Sequence, residues 1–149
     1  MNFIATASSA GQPGPASINL RRGQDGKVSV LVAGGAGFLG SRLCALYLEQ
    51  GHRVTCLDNI STGRIKNIEA FLEHPDFTFC RHDICDPLPL GSHFDFIYIM
   101  ACPASPPKYQ ADPIQTLKTN LQGSFNLLDL ARRSKARILQ SSTSEVYGD

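Results

Sequence analysis

A glycine loop between an apolar segment and an amphipathic segment constrains the fold of this chain most. Residues 28–32 read VSVLV, an apolar and β-branched run that is typical of a buried parallel strand. Gly34, Gly37 and Gly40 follow at even spacing, and apolar residues then recur at helical spacing up to Gly51. Glycine lets the backbone approach a ligand closely, and a helix N-terminus attracts negative charge. The pattern predicts a diphosphate-binding site, and the alternative is a tight turn without a ligand.

Strand and helix patterns alternate from Lys27 onward, which favours a parallel sheet with helices on both faces. We therefore predict a doubly wound, Rossmann-type α/β fold, truncated after about five strands. The predicted strands cover residues 28–32, 53–57, 77–82, 94–101 and 136–140. The predicted helices cover residues 41–50, 65–73 and 113–133. Residues 1–26 are rich in Ser, Ala, Gly and Pro, and we expect a disordered leader before a dinucleotide-binding domain at 27–149.

The long predicted helix at 113–133 carries one stripe of apolar side chains at helical spacing. The members of the stripe are Ile114, Leu117, Leu121, Phe125 and Leu128. Gly123 and Asn120 interrupt this pattern. Glycine permits close packing at position 123, whereas the asparagine either bridges to a functional site or is satisfied locally.

Charge and composition exclude several classes of partner. The net charge of the 149 residues is +1, which leaves no electrostatic footprint for nucleic acid or a membrane surface. No segment approaches the roughly 20 apolar residues that a membrane-spanning helix needs. The five cysteines contain no CxxC motif, and the four histidines lack metal-ligand spacing. We therefore expect reduced thiols, a cytoplasmic location and no metal site.

The ends of three predicted strands carry the remaining candidates for ligand contact. Asp58 ends the second strand, where a carboxylate can accept hydrogen bonds from ribose hydroxyls and repel a 2′-phosphate. This position favours NAD over NADP, and the alternative is an ordinary surface-loop aspartate. Asp83 and Ile84 follow the third strand, at the expected adenine edge. A proline-rich loop at 102–107 follows the fourth strand, and it is either a cover for the ligand crevice or a linker.

Several motifs together resemble the extended short-chain dehydrogenase/reductase superfamily and, within it, the family of UDP-glucuronate decarboxylases. The resemblance covers residues 28–149. The motifs that carry it are GGAGFLG, DNISTGRIKNIE, ACPASPPKYQ, TLKTNLQGSFNLL and STSEVYGD. It implies an NAD-dependent carboxy-lyase acting on UDP-glucuronate. The C4 hydroxyl of the sugar is oxidised, carbon dioxide leaves, and the C4 ketone is reduced again to give UDP-xylose. The resemblance also implies a homodimer for the full-length protein, whereas the charge and the lack of a long apolar segment argue against a nucleic-acid or membrane partner.

The same resemblance implies roles for individual residues. The implied pyrophosphate contacts are Gly34, Gly37, Phe38 and Leu39. The implied ribose contacts are Asp58, Asn59, Ser61, Thr62 and Gly63. The implied adenine contacts are Asp83 and Ile84, and the implied wall beside the cofactor is Met100, Ala101 and Cys102. The implied substrate contacts are Pro103, Ser105, Tyr109 and Lys118. Thr143 matches the catalytic Ser/Thr that hydrogen-bonds the reacting hydroxyl, and Glu145 matches a carboxylate near the sugar ring. The alternative for Thr143 and Glu145 is a polar strand end without a catalytic role.

Two departures from the family pattern qualify the expected activity. The Tyr-x-x-x-Lys motif, which supplies the general base, does not occur after Thr143, so we expect these residues alone to be inactive. Ile99 stands where relatives often carry histidine. Three rival interpretations remain. The first is a 4,6-dehydratase, but that chemistry usually uses an aspartate where this sequence has Ser144. The second is a 4-epimerase, against which Glu145 argues, and the third is a non-catalytic NAD-binding fragment.

Overall fold

The computed structural model describes residues 25–91 and 93–148, with only the backbone of Ser144 and Glu145. The predicted leader at 1–26 therefore lies outside the described residues up to position 24. Five strands form one sheet: β1 (Ser29–Ala33), β2 (Arg53–Asp58), β3 (Phe77–Arg81), β4 (Phe96–Ile99) and β5 (Arg137–Gln140). All neighbouring strands are parallel, in the order β3-β2-β1-β4-β5. Each strand overlaps its predicted segment, which confirms the predicted sheet.

The strand order reverses at β1. The chain runs outward from β1 through β2 to β3 and then returns to the other side of β1 for β4. Val32 of β1 pairs with Cys56 of β2 on one side and with Tyr98 of β4 on the other. In open parallel sheets, ligands bind outside the carboxyl ends of the strands at such a reversal. The topology therefore places the crevice between the ends of β1 and β4.

Helices cover both faces of the sheet, as a doubly wound fold requires. Helix α1 (Phe38–Glu49) buries Cys44 and Leu48 against the face that carries Val30 and Val54. The opposite face carries Leu31, Ala33, Leu57 and Ile97, and it packs against the buried Leu127 and Leu130 of a later helix. Alternate residues of one strand thus enter two separate cores. This explains why the central strand β1 reads as a continuous apolar run rather than as an alternating pattern.

The remaining helices differ from the sequence prediction in detail. Residues 65–73 form two short 3₁₀ turns, Ile65–Asn67 and Glu69–Phe71, and not one α-helix. The proline-rich loop runs into helix α2 (Pro106–Ala111), because proline suits the first turn of a helix. The long helix consists of α3 (Pro113–Lys118), a π-helical turn (Thr119–Gly123) and α4 (Ser124–Ser134). In the described part of the chain, no helix has the length and apolar character to cross a lipid bilayer.

The apolar stripe of the long helix faces solvent and not the core. Its five residues are 45–69% exposed, and we refer to them as the exposed stripe: Ile114, Leu117, Leu121, Phe125 and Leu128. The buried face of α4 consists instead of Ser124, Leu127, Leu130 and Ala131. The helix therefore carries two apolar faces. A helical period in the sequence cannot tell which of two such faces meets the sheet.

Candidate functional site

The glycine loop is held against the ends of three strands. The N–H of Gly34 donates to the carbonyl oxygen of Leu57 at the end of β2, at 2.7 Å. Gly34 has a positive φ of 82°, and a Cβ there would lie 2.6 Å from the carbonyl carbon of Met100, just after β4. Both observations require glycine at this position. Met100 and Ala101, the predicted cofactor wall, therefore lie against the loop at the topological reversal.

Different physical constraints account for glycine at positions 40 and 37. A Cβ on Gly40 would lie 2.1 Å from the carbonyl oxygen of Gly34, so close packing of α1 on the loop excludes any side chain. A Cβ on Gly37 would meet only that same oxygen, at 3.2 Å. Among the described residues, a methyl group at Gly37 therefore needs only a shift of a few tenths of an ångström in the Gly34 oxygen. The missing side chain at Gly37 keeps the surface in front of the helix open to a ligand.

The first turn of α1 presents its backbone N–H groups at this open surface. Gly37 is the N-cap residue, and no side chain caps the helix among the described residues. Phe38 and Leu39, in that first turn, are 79% and 64% exposed. An α-helix of this length has a partial positive charge and unsatisfied donors at its N-terminus. The geometry suits a phosphate or diphosphate group.

Asp58 fastens the glycine loop to the loop that follows β2. Its Oδ2 accepts the N–H of Ala36 at 2.9 Å, and its Oδ1 accepts the N–H of Ile60 at 2.8 Å. The residue is only 8% exposed, so the interpretation as a surface-loop aspartate is wrong. Each carboxylate oxygen can accept a further hydrogen bond from a ligand hydroxyl. The carboxylate is therefore both a structural acceptor and a candidate ribose contact.

The polar segment at 59–64 packs directly onto the glycine loop. A Cβ on Gly63 would lie 3.0 Å from both carboxylate oxygens of Asp58, so glycine permits this close approach. The carbonyl oxygen of Ala36 accepts the N–H of Arg64 at 3.1 Å and the side-chain amide of Asn67 at 2.7 Å. Ser61 and Thr62, the other predicted ribose contacts, are exposed in the same segment. Sequence reasoning missed Asn67, whose side chain reaches across 31 residues.

Ile60 adopts a left-handed backbone conformation in this segment, with φ of 62°. This conformation is unfavourable for a β-branched residue and persists only where neighbouring contacts enforce it. The hydrogen bond from the Ile60 N–H to Asp58 is one such contact, and the bond from the Ser61 N–H to the Asn59 side chain is another, at 2.9 Å. Strained backbone of this kind is concentrated at ligand sites.

The loop after β3 joins this network through Asp83. Its carboxylate accepts the side-chain amide of Asn59 and the N–H of Cys85, each at 2.8 Å. Burial opposes ionisation of Asp83, but these hydrogen bonds outweigh it and lower the pKa of the carboxyl. Ile84 is 4% exposed and its side chain lies in the core. Any contact between Ile84 and a ligand must therefore come from its backbone.

The predicted substrate contacts fall into two groups. Pro103, Ser105 and Tyr109 lie in the segment after β4 that leads into α2. There the backbone carbonyl oxygen of Ser105 accepts the N–H groups of Lys108 and Tyr109. Lys118 instead lines a cavity of about 470 Å³ beside the loop after β3. The other residues that line this cavity are Asp83, Cys85, Asp86, Gln115 and Gln122. Cys102 is exposed at the end of β4, and all five cysteines of the chain are free.

Thr143 is exposed three residues after β5. The segment is anchored at Ser141, whose N–H and hydroxyl both donate to the carbonyl oxygen of Ile99, each at 3.0 Å. These two hydrogen bonds hold the segment before Thr143 at the end of β4, next to Met100 of the predicted cofactor wall. A 3₁₀ turn, Ser144–Tyr147, comes next. The side chain of Glu145 lies outside the described residues.

Comparison with known proteins gives a consistent set of relatives. The profile of the NAD dependent epimerase/dehydratase family matches residues 30–149. UDP-glucuronic acid decarboxylase 1 of Danio rerio is 50% identical over 120 residues, which are 80% of this chain and 28% of that protein. The chain thus spans under a third of the length of this relative. A crystal structure of UDP-galactose 4-epimerase is similar with a TM-score of 0.71 and 31% identity, over 82% of this chain and 40% of that one. The structure of WbmF from Bordetella bronchiseptica with NAD⁺ has a TM-score of 0.71 and 26% identity, over 80% and 37% of the two chains.

Proposed function

The chain belongs to the NAD dependent epimerase/dehydratase family, and we propose that its glycine loop and Asp58 bind NAD. The observation that carries the proposal is the open surface at Gly37, next to the uncapped first turn of α1. The diphosphate fits there, because the surface offers backbone donors and no side chain blocks it. The adenosine ribose then lies toward Asp58, whose charge repels a 2′-phosphate. Phe38 and Leu39 contribute backbone contacts, while Met100, Ala101 and Cys102 border the nicotinamide end.

We further propose that the whole protein is a UDP-glucuronate decarboxylase that makes UDP-xylose. The support is 50% identity to a relative of that name, together with Ser144 and Glu145 after the threonine. When bound, NAD supplies reversible hydride transfer at C4 of the sugar. Thr143 hydrogen-bonds the reacting hydroxyl, and Glu145 lies near the ring. The resulting C4 ketone accepts the electrons that are released when the carboxylate at C5 leaves as carbon dioxide.

A second candidate function is 4-epimerisation of a nucleotide sugar. The observation in its favour is the similarity to solved 4-epimerases at a TM-score of 0.71. The two reactions share oxidation at C4 and differ in the fate of the ketone. An epimerase returns hydride to the opposite face of the ketone and keeps the carboxylate. The products therefore differ by the mass of carbon dioxide, which gives a direct test.

The test uses a chimera in which residues 30–149 replace the matching segment of the Danio rerio relative. Incubation with NAD and UDP-glucuronate, followed by mass spectrometry, should show UDP-xylose. An isomer of UDP-glucuronate would favour the epimerase, and loss of water would favour a dehydratase. Thr143→Val in the chimera should abolish turnover but leave NAD binding unchanged. A chimera that binds NAD and leaves UDP-glucuronate unchanged contradicts the proposed reaction.

We also propose that the protein is a cytoplasmic homodimer without a membrane or nucleic-acid partner. The exposed stripe supports the dimer, because five large apolar side chains on one helix face are typical of an interface. The net charge of +1 offers little attraction for nucleic acid or lipid head groups. Leu117→Asp with Leu121→Asp should convert a dimer to a monomer in sedimentation experiments. Asn120→Asp, an exposed neighbour outside the stripe, is the control, and a monomeric unmutated chain contradicts the proposal.

A further inference from the structure

We propose that Asn126 is a positioning residue that holds the loop after β3 in place for the adenine end of NAD. The inference rests on the proposed NAD site. The side-chain amide of Asn126 donates to the carbonyl oxygens of Ile84, at 2.8 Å, and Asp86, at 3.2 Å. These partners lie 42 and 40 residues earlier in the chain. One side chain of α4 thus holds two nearby carbonyl groups of a loop that begins after the last residue of β3.

The amide group of Asn126 is itself held in one orientation. Its oxygen accepts the side-chain amide of Gln122, one turn earlier on the helix, at 2.9 Å. Asn126 therefore uses both functional ends of its side chain, the nitrogen toward the loop and the oxygen toward its own helix. An asparagine whose two ends are both engaged has little freedom to flip. The arrangement suits a residue that fixes the position of a neighbouring segment.

A steric contact on the same helix face supports this inference independently. A Cβ on Gly123 would lie 2.4 Å from Cδ1 and 2.5 Å from Cγ1 of Ile84. The helix can therefore approach the loop this closely only because residue 123 is glycine. Gly123 also ends the π-helical turn Thr119–Gly123. Single π turns inside α-helices frequently occur at functional sites.

The loop held by Asn126 carries a carboxylate at the edge of the proposed dinucleotide site. Asp83 lies one turn before Asp86, whose N–H donates to the Asp83 carbonyl oxygen at 3.2 Å. The Asp83 carboxylate accepts the amide of Asn59 from the loop after β2. Displacement of the loop would therefore move Asp83 relative to the proposed ribose site. A carboxylate at this edge accepts a hydrogen bond from an amino group, such as the exocyclic amine of adenine.

The experiment measures dinucleotide affinity and base selectivity of the 149-residue chain by calorimetry. The ligands are NAD and nicotinamide hypoxanthine dinucleotide, which carries a carbonyl group in place of the adenine amine. Asn126→Ala should weaken NAD binding about tenfold, the equivalent of about 1.4 kcal/mol. It should also bring the ratio of the two dissociation constants close to one, because Asp83 no longer faces the base. Asn120→Ala is the matched control, since among the residues that the structure describes this exposed amide donates only to the carbonyl oxygen of Thr116 in its own helix.

A second variant separates positioning from folding. Gly123→Ala improves helix propensity but pushes Ile84 away, so it should weaken NAD binding and reduce base selectivity even in a folded chain. Equal weakening of both dinucleotides by Asn126→Ala, or no weakening by either variant, overturns the inference while leaving the NAD site intact. Absence of NAD binding by the unmutated chain overturns the NAD site and this inference together.

Discussion

Alanine in place of Gly40 should destabilise this chain, although alanine forms helices better than glycine does. Position 40 lies inside α1, where helix propensity alone favours alanine by about 1 kcal/mol. The structure predicts the opposite result. The new Cβ would lie 2.1 Å from the carbonyl oxygen of Gly34 and 2.8 Å from the Cα of Gly35. Both are backbone atoms, so the glycine loop itself would have to move.

The two opposing effects give an approximate magnitude. Overpacking by one methyl group typically costs about 1–3 kcal/mol, and a contact this short with backbone belongs at the upper end. Subtracting the propensity gain leaves a net loss of about 2 kcal/mol. For a chain of this size, that loss lowers the melting temperature by about 4–8 °C. Thermal unfolding monitored by circular dichroism measures the shift.

Gly37→Ala is the matched control in the same loop. Its Cβ would meet only the Gly34 oxygen, at 3.2 Å, and its φ of −75° suits alanine. We expect about half the shift of Gly40→Ala or less. NAD binding should nevertheless weaken by at least about tenfold, because the methyl group occupies the space in front of α1. A Gly40→Ala chain that melts at or above the unmutated temperature refutes the packing argument. Unchanged NAD affinity in Gly37→Ala refutes the placement of the diphosphate.

Two further predictions concern hydrogen-bonded side chains, the buried Asp58 and the partly buried Tyr47. Asp58→Asn turns one acceptor oxygen into a donor that faces the N–H of Ala36 or Ile60. The free energy of unfolding in urea should therefore fall by about 1–3 kcal/mol, and unchanged stability contradicts this. The preference for NAD over NADP should also narrow. Tyr47 and Tyr98 share a hydrogen bond of 2.5 Å, and burial together with Tyr98 raises the pKa of Tyr47. The contribution of this raised pKa is complete below about pH 10, the ordinary value for tyrosine, and is lost progressively as the pH rises further. Tyr98→Phe removes the hydrogen bond but not the burial, so it should reduce the fall in stability above about pH 10, and an unchanged pH dependence contradicts this.

The central strands β1 and β2 could be predicted because they are buried almost throughout and end at Gly34 and Asp58, whereas the exposed edge strand β5 was indicated only by its apolar Ile138 and Leu139. The start of α1 could not be predicted: the sequence indicated a helix at 41–50, whereas the helix in the structure begins at Phe38. The low helix propensity of Gly40 hides the first turn of the helix, whereas close packing on Gly34 requires glycine there. Local propensity is a weak guide wherever tertiary contact decides the residue type.

The candidate site was predicted in its glycine loop and at Asp58, because strand–loop–helix order is a local signal. Its long-range polar contacts carry no such signal. Asn126 and Asn67 reach main-chain carbonyl groups 42 and 31 residues away, and asparagine occurs in many other surroundings. Asn120 shows the converse case. It interrupts the predicted apolar stripe, where it could have bridged to a functional site, yet it is exposed, and within the described part of the chain its side chain bonds only to Thr116 on the preceding turn of its own helix.

The double attachment of Asp58 limits how this chain could exchange one coenzyme for another. Accommodating a 2′-phosphate calls for a neutral or basic residue at this position, because like charges repel. The same replacement would leave the buried N–H of Ala36 and the partly buried N–H of Ile60 without their acceptor. A change of coenzyme therefore needs at least two substitutions, one that alters the charge and one that ties the loops together again. Evolution by single steps between the two dinucleotides would pass through a destabilised intermediate.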